Sequence, residues 1–377
     1  MHIITGLPTG GAETALLKLL SANNGNWESA VVSLMDEGTI GPRIAALGVP
    51  VHCLGIRRGR PNPARALSLM SITRQFRPHL IQGWMYHGNL AASLASVSMR
   101  RRVPVLWNIR QSLEGVAEER RLTQSMIRLG ALLSWHPANI IYNSSISARQ
   151  HEIFGYRGLR RVVIPNGFDC QIFRPDNEAR HHVRKELGIG IDTFLIGLIA
   201  RFHPVKDHAS FLRAANLVAR THPHVRFILI GEGLTGEAPA VTKLIREQHL
   251  ESRVFLLGER PDTPRLTAAL DIACSASLGE GFSNTIGEAM ACGIPSVVTD
   301  VGESSLVVAN TGLSVRPRDP EALAQAIDRL IDAGPEKRQQ LGAAARRRIQ
   351  TEFSLPAIAR RYEDLYREHV GTAFEGY

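Results

Sequence analysis

Two glutamates frame the segment of this chain best equipped for chemistry, Glu280-Gly281-Phe282-Ser283-Asn284-Thr285-Ile286-Gly287-Glu288. Glu280-Gly281 ends a loop, and Asn284 is placed to cap a helix. Glu288 then falls about one turn into that helix. Backbone N–H groups at Phe282, Ser283 and Asn284 would face a phosphate at the positive helix end. A carboxylate accepts from vicinal hydroxyls, which suits Glu288 to a ribose and Glu280 to a sugar. An ordinary capped helix with solvated glutamates has the same spacing, so spacing alone leaves both readings open.

A second constellation is cationic. In Gly197-Leu198-Ile199-Ala200-Arg201-Phe202-His203-Pro204-Val205-Lys206-Asp207 an apolar strand ends in Arg201, and Lys206 follows on a loop entering a helix. In open α/β sheets ligands bind beyond the carboxyl ends of strands. There Arg201 can act as a fork and Lys206 as a point charge on one diphosphate. The alternative is two exposed surface charges. Near the start, Gly10-Gly11-Ala12-Glu13 follows the first strand, and paired glycines let backbone approach a phosphate at a helix start. Many β-α turns carry such a pair.

These residues need elements to hold them. Short β-rich runs alternate with amphipathic helical stretches throughout, which predicts parallel sheets covered by helices on both faces. The first half offers strands at His2–Thr5, Glu28–Ser33, Val51–Leu54, Leu80–Gly83, Val103–Trp107, Ile140–Asn143 and Val162–Ile164. The first is short: either the sheet begins with a stub or the strand starts a few residues upstream. After the turn-rich stretch Pro165–Asp176 the alternation restarts with Phe194–Ile199, Arg226–Ile230, Val254–Leu257, Ile272–Cys274, Pro295–Thr299 and Leu313–Val315. Helices are expected between them, at His208–Arg220, Ala238–His249, Pro264–Leu270 and Asn284–Ala291. The helical stretches Pro320–Ala333, Pro335–Thr351 and Leu355–His369 follow. A chain of 377 residues suits two such domains.

Charge is uneven. Residues 1–165 hold 19 Lys and Arg against 8 Asp and Glu, whereas the remainder holds 25 against 27. Clusters lie at Arg57-Arg58-Gly59-Arg60, Arg100-Arg101-Arg102 and Arg157 to Arg161. A basic face favours a phospholipid surface, a lipid diphosphate or a nucleic acid; arginines that merely solubilise loop tips are the alternative. Aromatics make up only 6 % of the chain, so stacking platforms are scarce and a nucleic-acid partner is not expected. Cys53, Cys170, Cys274 and Cys292 show no metal-ligand spacing, and Cys274 and Cys292 read as buried packing. No apolar run is long enough for a membrane span and the start does not read as a secretory signal, so a cytoplasmic location is expected.

The segment Asp271–Glu303 resembles the donor-binding core of the family-four (group 1) retaining glycosyltransferases with the GT-B fold. Ser277, Glu280-Gly281-Phe282, Glu288-Ala289-Met290 and Gly293-Ile294-Pro295-Ser296-Val297 carry the likeness. Gly10-Gly11-Ala12-Glu13, Ile164-Pro165-Asn166-Gly167-Phe168-Asp169, Arg201 with Lys206, Phe353-Ser354 and Arg361-Tyr362 with Tyr366 extend it over nearly the whole chain. The resemblance implies α/β architecture with two Rossmann-like domains facing across a cleft: residues 1–176 on the acceptor side, 177–354 binding the nucleotide sugar, and a closing helix in 355–377 crossing back to the first domain. It implies that Arg201 and Lys206 bind the donor diphosphate and stabilise the leaving nucleotide. Glu288 would bind the ribose and Glu280 the donor sugar. Gly10, Gly11, Gly231 with its Gly231-Glu232-Gly233 turn, Arg260 with Gly258-Glu259, and Gly281, Phe282, Ser283 and Asn284 would complete the donor site. No cofactor and no metal are implied, because two protein cations serve the diphosphate. UDP enters as the family's commonest base, and not from these residues.

There is one departure. Many relatives carry a histidine after the fifth strand of the first domain. Here that region reads Leu106-Trp107-Asn108-Ile109-Arg110-Gln111-Ser112, which puts Asn108 or Arg110 in its place. His87, in Trp84-Met85-Tyr86-His87-Gly88-Asn89, is a substitute. His87 and Arg110 are therefore expected to line the acceptor side, a packing role at a helix start being the alternative for His87. The expected function is sugar transfer to a polysaccharide or lipid-linked acceptor, with the basic first half resting on the inner membrane face. A GT-B epimerase or hydrolase and a non-catalytic sugar-nucleotide-binding protein are the competing readings.

Overall fold

The computed structural model describes residues 1–23, 25, 27–57, 63–113 and 121–374. Arg58, Gly59 and Arg60 of the first basic cluster, and the last three residues of the expected closing segment, lie outside the described residues. The chain divides into two compact units, Met1–Gly167 with Leu355–Tyr377, and Phe168–Ser354.

In the first unit β1 (His2–Ile4), α1 (Gly11–Ser21), β2 (Val31–Ser33), α2 (Gly41–Ala45), β3 (Val51–Cys53), α3 (Pro63–Phe76) and β4 (Ile81–Trp84) come first. They are followed by α4 (Met85–Val97), β5 (Val105–Ile109), α5 (Arg121–Leu133), β6 (Asn139–Tyr142), α6 (Ser145–Phe154) and β7 (Arg161–Val163). The seven strands are parallel, in the order β3-β2-β1-β4-β5-β6-β7. Parallel neighbours need long crossovers, and the helices supply them. Strand β5 starts two residues later than the sequence pattern predicts. Pro104 has no N–H to give the ladder, while its carbonyl accepts from Ile81 N (3.0 Å). Helix α6 is capped at both ends: Ser144 Oγ accepts from Ser147 N (3.0 Å), and the backbone of Gly155 (φ 118°) closes it in the left-handed region.

The second unit contains α7 (Asn177–Glu186), β8 (Phe194–Ile199), α8 (His208–Thr221), β9 (Val225–Ile230), α9 (Pro239–Glu247), β10 (Val254–Leu256) and α10 (Thr263–Ala268). Then come β11 (Ile272–Ser275), α11 (Asn284–Ala291), β12 (Ser296–Thr299), α12 (Ser304–Val308), β13 (Leu313–Val315), α13 (Pro320–Asp332) and α14 (Gly334–Arg348). Its six parallel strands run β10-β9-β8-β11-β12-β13. The unit begins at Phe168 and not after Asp176, because Phe168 and Phe173 belong to its core with Phe282, Ile286 and Phe353. Gly287 makes that seat possible: a Cβ there would fall 2.0 Å from Phe168 Cζ. Cys274 and Cys292 are buried in the two apolar layers of this unit.

A buried ion cluster ties α7 to the sheet. Asp271 Oδ2 accepts from Arg184 Nη2 (2.8 Å) and from Leu195 N (2.8 Å), and Oδ1 accepts from Arg180 Nη2 (2.7 Å). Arg184 is fully buried and also donates to Ala269 O (2.6 Å), Ile191 O (3.1 Å) and Thr193 O (3.1 Å). Each of its three guanidinium nitrogens donates at least one hydrogen bond, the kind of pairing under which a buried charge is tolerated.

The closing helix α15 (Leu355–Phe374) belongs to the first unit, where Ile358, Tyr362, Leu365 and Tyr366 pack with Leu80, Leu106, Ile141 and Ile164. Tyr366 Oη donates to Gln82 Oε1 (2.5 Å) and Asn108 Nδ2 donates to Tyr362 Oη (2.9 Å). Also in this unit, His151 lies fully buried among Tyr86, Tyr142 and Tyr156. Its Nδ1 lies 2.7 Å from Ser147 O, which can only accept, so Nε2 (3.1 Å from Tyr86 Oη) is the acceptor nitrogen.

Burial separates the expected costs of three changes. Asp271→Ala leaves two guanidinium groups uncompensated and lowers stability by roughly 3–5 kcal/mol in urea unfolding. Removing the more exposed Arg161–Glu152 pair by Arg161→Gln costs less than about 1 kcal/mol. Burial pulls His151 down to about 4 from its ordinary 6.5. The folded state therefore holds it neutral while the unfolded chain protonates near 6.5. Its stabilisation is complete above that value and is lost as pH falls toward 4, by about 1.4 kcal/mol per pH unit. Urea midpoints measured between pH 7.5 and 4.5 should fall accordingly, with a shallower decline in His151→Gln.

Candidate functional site

In the second unit the chain builds β8, β9 and β10 outward in one direction, then returns to place β11, β12 and β13 on the other side of β8. The loops leaving β8 and β11 therefore diverge at the point where strand order reverses, the usual position of a ligand crevice. Arg201 leaves β8 directly and is exposed. His203 Nδ1 accepts from Val205 N (3.3 Å) and shapes a short 3-10 turn, Pro204–Lys206. Asp207 then takes φ 46° and ψ 52°, and its carboxylate caps α8 by accepting from Ser210 N (3.1 Å). Asp is among the few residues that accept that left-handed geometry readily.

The loop leaving β11 is fastened to this turn through backbone, Leu278 N donating to Val205 O (2.7 Å). Lys206 Nζ reaches Glu280 Oε1 at 2.5 Å, and Ser277 Oγ donates to the same oxygen (2.7 Å). Ser277 is itself fixed, because its carbonyl accepts from Thr299 Oγ1 (2.6 Å). Gly302 (φ 58°) crosses so closely that a Cβ would lie 2.0 Å from Glu280 O. A carboxylate, an ammonium and an exposed guanidinium thus share the carboxyl edge of this sheet. Such a set can hold an anion from the cationic side and hydroxyl groups from the anionic side.

Backbone also stitches the neighbouring loops. Gly231 N donates to Gly258 O (2.8 Å), Gly258 N to Leu234 O (2.8 Å) and Phe202 N to Glu232 O (2.7 Å). Gly231 takes φ 150°, and a Cβ there would stand 2.2 Å from Ala200 O, beside Arg201. On the far side of β11, helix α11 starts at exposed Asn284, with Glu288 half-buried in its second turn.

The first unit repeats the geometry on its own sheet, with the reversal between β1 and β4. Gly10 is the N-cap of α1 after β1. A Cβ on Gly10 would meet Glu13 Oε2 at 2.4 Å, whereas one on Gly11 would meet nothing within 4 Å. The Glu13 carboxyl is held above its ordinary range by burial. His87 lies in the first turn of α4, and burial holds its pKa below the ordinary value. Close seating of α4 depends on Gly88, where a Cβ would lie 2.6 Å from Ile3 O.

Known families match both units. Glycosyl transferases group 1 match residues 193–333, and the glycosyl transferase 4-like domain matches residues 10–167. The chain belongs to the group 1 glycosyltransferases. EpsF of Bacillus subtilis is 32 % identical over 194 residues, 50 % of this chain and 50 % of EpsF. The UDP-Gal:alpha-D-GlcNAc-diphosphoundecaprenol alpha-1,3-galactosyltransferase of Escherichia coli is 27 % identical, over 55 % of this chain and 54 % of that protein. The chain spans about half the length of the curated relatives it matches. The crystal structure of Anabaena Alr3699/HepE in complex with UDP aligns over 98 % of this chain and 100 % of that one, at 24 % identity and a TM-score of 0.83. Its likeness, with that of other GT-B glycosyltransferases, establishes the fold.

Against that family the site residues divide. In this glycosyltransferase Arg201, Lys206, Glu280 and Gly231 converge on one edge of the second sheet. Lys206 and Glu280 pair with each other, a contact that separate roles for diphosphate and sugar did not anticipate. Ser283, and not Asn284, is the N-cap of α11, and its side chain makes no capping bond. The Phe282 ring is buried between Phe168 and Phe353, so only its backbone, with that of Gly281, is available to a ligand. Arg260 is drawn into an ion network instead of standing free. It grips Asp262 through two bonds (2.8 and 2.9 Å) and reaches Glu186 (3.3 Å). Hydrogen bonds from Arg260 and Arg265 pull Asp262 down to about 2. Arg110 donates to Tyr362 Oη (2.9 Å) and to Asn166 Oδ1, which makes it a strut between β5, α15 and the end of the first unit. The Asp207 conformation and the Leu278–Val205 bond have no signature in residue type alone.

The two glycine environments give a direct test. Gly231→Ala forces a methyl into Ala200 O and a conformation unfavourable to alanine, and should lower stability by at least about 2 kcal/mol. Gly11→Ala, with open space around it, should stay within about 0.5 kcal/mol of wild type. Differential scanning fluorimetry of both variants checks the contrast.

Proposed function

We propose that this chain transfers a sugar from a nucleotide-diphosphate sugar, a UDP-sugar, to a polysaccharide or lipid-linked acceptor, with retention at the anomeric carbon and without a metal. The observation that carries the reading is the Lys206–Glu280–Ser277 cluster beside exposed Arg201 at the strand-order reversal of the second sheet. In the reaction, the bond between the anomeric carbon and the diphosphate oxygen breaks and charge gathers on the departing diphosphate. Arg201 and Lys206 would meet that charge as it forms, the largest electrostatic task in such a step. The acceptor hydroxyl forms the new bond on the face the nucleotide leaves, and its proton passes to the departing phosphate oxygen. Glu280, oriented by Ser277 and Lys206, would hold sugar hydroxyls, and Glu288 the ribose. The UDP and UDP-glucose complexes of the Anabaena neighbour, and the UDP-Gal donor named for the Escherichia coli relative, support the choice of UDP. The diphosphoundecaprenol in that relative's name supports a lipid-linked acceptor.

The same reading places the protein in the cytoplasm at the inner membrane face. No helix among the described residues is long and apolar enough to cross a membrane. The basic excess of the first half would supply the attraction to anionic lipid.

The donor assignment is tested by thermal shift against UDP, GDP, ADP and CMP, each with EDTA. UDP at about 100 times its Kd should add roughly 2.7 kcal/mol to wild type and nothing measurable to Arg201→Ala. Lys206→Ala should reduce kcat/KM by about 100-fold or more. Stabilisation that appears only with a divalent cation, or that persists in Arg201→Ala, would sink the metal-free diphosphate site.

A further inference from the structure

The end of α5 and the end of α6 form one surface of unusual composition. Ala131 lies beside Gly155, whose added Cβ would be 3.7 Å from the Ala131 Cβ, and Arg157 N donates to Ser134 Oγ (3.1 Å). Around that seam large apolar side chains face solvent: Leu132 is 74 % exposed, Trp135 53 %, Ile153 89 % and Leu159 fully exposed. Exposed arginines are interleaved with them, Arg128 on α5 and Arg157 and Arg160 in the turn before β7. Glu152 faces the patch but is paired with Arg161 (3.3 Å). Glu368 and His369 on α15 lie toward Arg160.

The patch has a defined place in the first unit. The segments 134–138 and 155–160 precede β6 and β7, at the amino-terminal edge of the sheet. The segments before β4 and β5 lie on the same edge, where Arg74, Arg77, Arg100 and Arg101 line a concavity of about 1080 Å³. Cations therefore continue along the edge from the apolar patch, opposite the carboxyl edge that carries Gly10 and His87.

We propose that this amino-terminal edge is a docking surface for an anionic phospholipid bilayer, with Leu132, Trp135, Ile153 and Leu159 entering the headgroup layer and the arginines meeting lipid phosphates. This rests on the membrane-face location above, but not on the donor assignment. A soluble polyanion would use the arginines yet leave Leu159 and Ile153 in water. A second copy of the chain would bring the same cations against themselves. Only a layer anionic outside and hydrocarbon beneath uses both halves of the composition, and an amphipathic Trp suits that boundary.

The test uses the whole chain and vesicles of phosphatidylcholine alone or mixed with phosphatidylglycerol. Co-sedimentation should require phosphatidylglycerol. Trp84 and Trp107 are fully buried and Trp27 is half-buried, so the signal is read in a Trp27→Phe background, where a vesicle-induced blue shift, with quenching by shallow spin-labelled lipid, reports chiefly on Trp135. Trp135→Phe should remove most of that signal while still sedimenting. Arg157→Gln with Arg160→Gln should lower partitioning roughly 30-fold, and Leu132→Ser with Leu159→Ser should lower it as well. Nucleotide-induced thermal shifts measured in the same variants should match wild type, so failure of the surface and failure of the donor site are read separately. Equal binding to uncharged vesicles, no binding to either kind, or binding with Trp135 emission unmoved would overturn the proposal. Binding to heparin with no vesicle binding would overturn it in favour of a soluble polyanion.

Discussion

Lys206 and Glu280 meet because β8 and β11 are neighbours, although some seventy residues separate them in the chain. That adjacency is a consequence of parallel pairing. A parallel strand cannot return by a tight turn, so each crossover carries a helix, and right-handed crossovers stack outward in one direction until the chain reverses. At the reversal two loops leave adjacent strands and turn away from each other. The placement of Arg201 and Lys206 beside Glu280 depends on that divergence. Arg201 leaves from one strand, and Ser277 and Glu280 from the other. The Leu278–Val205 backbone bond then holds the two loops at a fixed separation.

Around this reversal the fold invests in backbone more than in side chains. The turns after β8, β9 and β10 are joined by hydrogen bonds donated by the backbone N–H groups of Gly231, Gly258 and Phe202, and Gly231 permits an approach to Ala200 that no other residue allows. Backbone positions are stiffer than long side chains, so Arg201 leaves from a braced root while its own guanidinium stays exposed. Lys206 is handled differently. Its ammonium is already engaged by Glu280, which orders both groups before any ligand arrives. Ordering two groups in advance reduces what a ligand must immobilise, at some cost in direct attraction.

Much of this was legible in the sequence. Strand β8 and helix α11 fall where apolar runs and turn residues place them, because a buried strand must be apolar on both faces and Gly and Pro punctuate its ends. Arg201 stood out for closing an apolar strand. What was hidden depends on contacts between distant segments. Phe282 reads as part of a ligand loop, yet it is a core ring, since its partners Phe168 and Phe353 come from opposite ends of the unit. Those two partners also set the unit's boundary inside the turn-rich stretch, ahead of its end, where composition suggested it. Arg260 and Arg110 look like free cations in the sequence. Asp262, only two residues from Arg260, was a visible signal, whereas Tyr362 lies 252 residues from Arg110 and could not be one.

The polarity of the first sheet follows from the same rule that builds the site. In a parallel sheet with crossover helices, helix N-termini gather at the carboxyl edge of the strands and helix C-termini at the amino edge. The carboxyl edge is therefore suited to anions in a crevice, and the amino edge to cationic side chains of the protein itself. Arg74 in the last turn of α3, and Arg77 just beyond it, occupy positions where the helix end favours positive charge. Arginines accumulate there at little cost to the fold. A favourable helix end accounts for those two cations, and it does nothing for Leu159 or Ile153. Stability cannot explain why fully solvated apolar groups are kept among the charges. That mismatch is the physical reason for treating this edge as a surface with a partner.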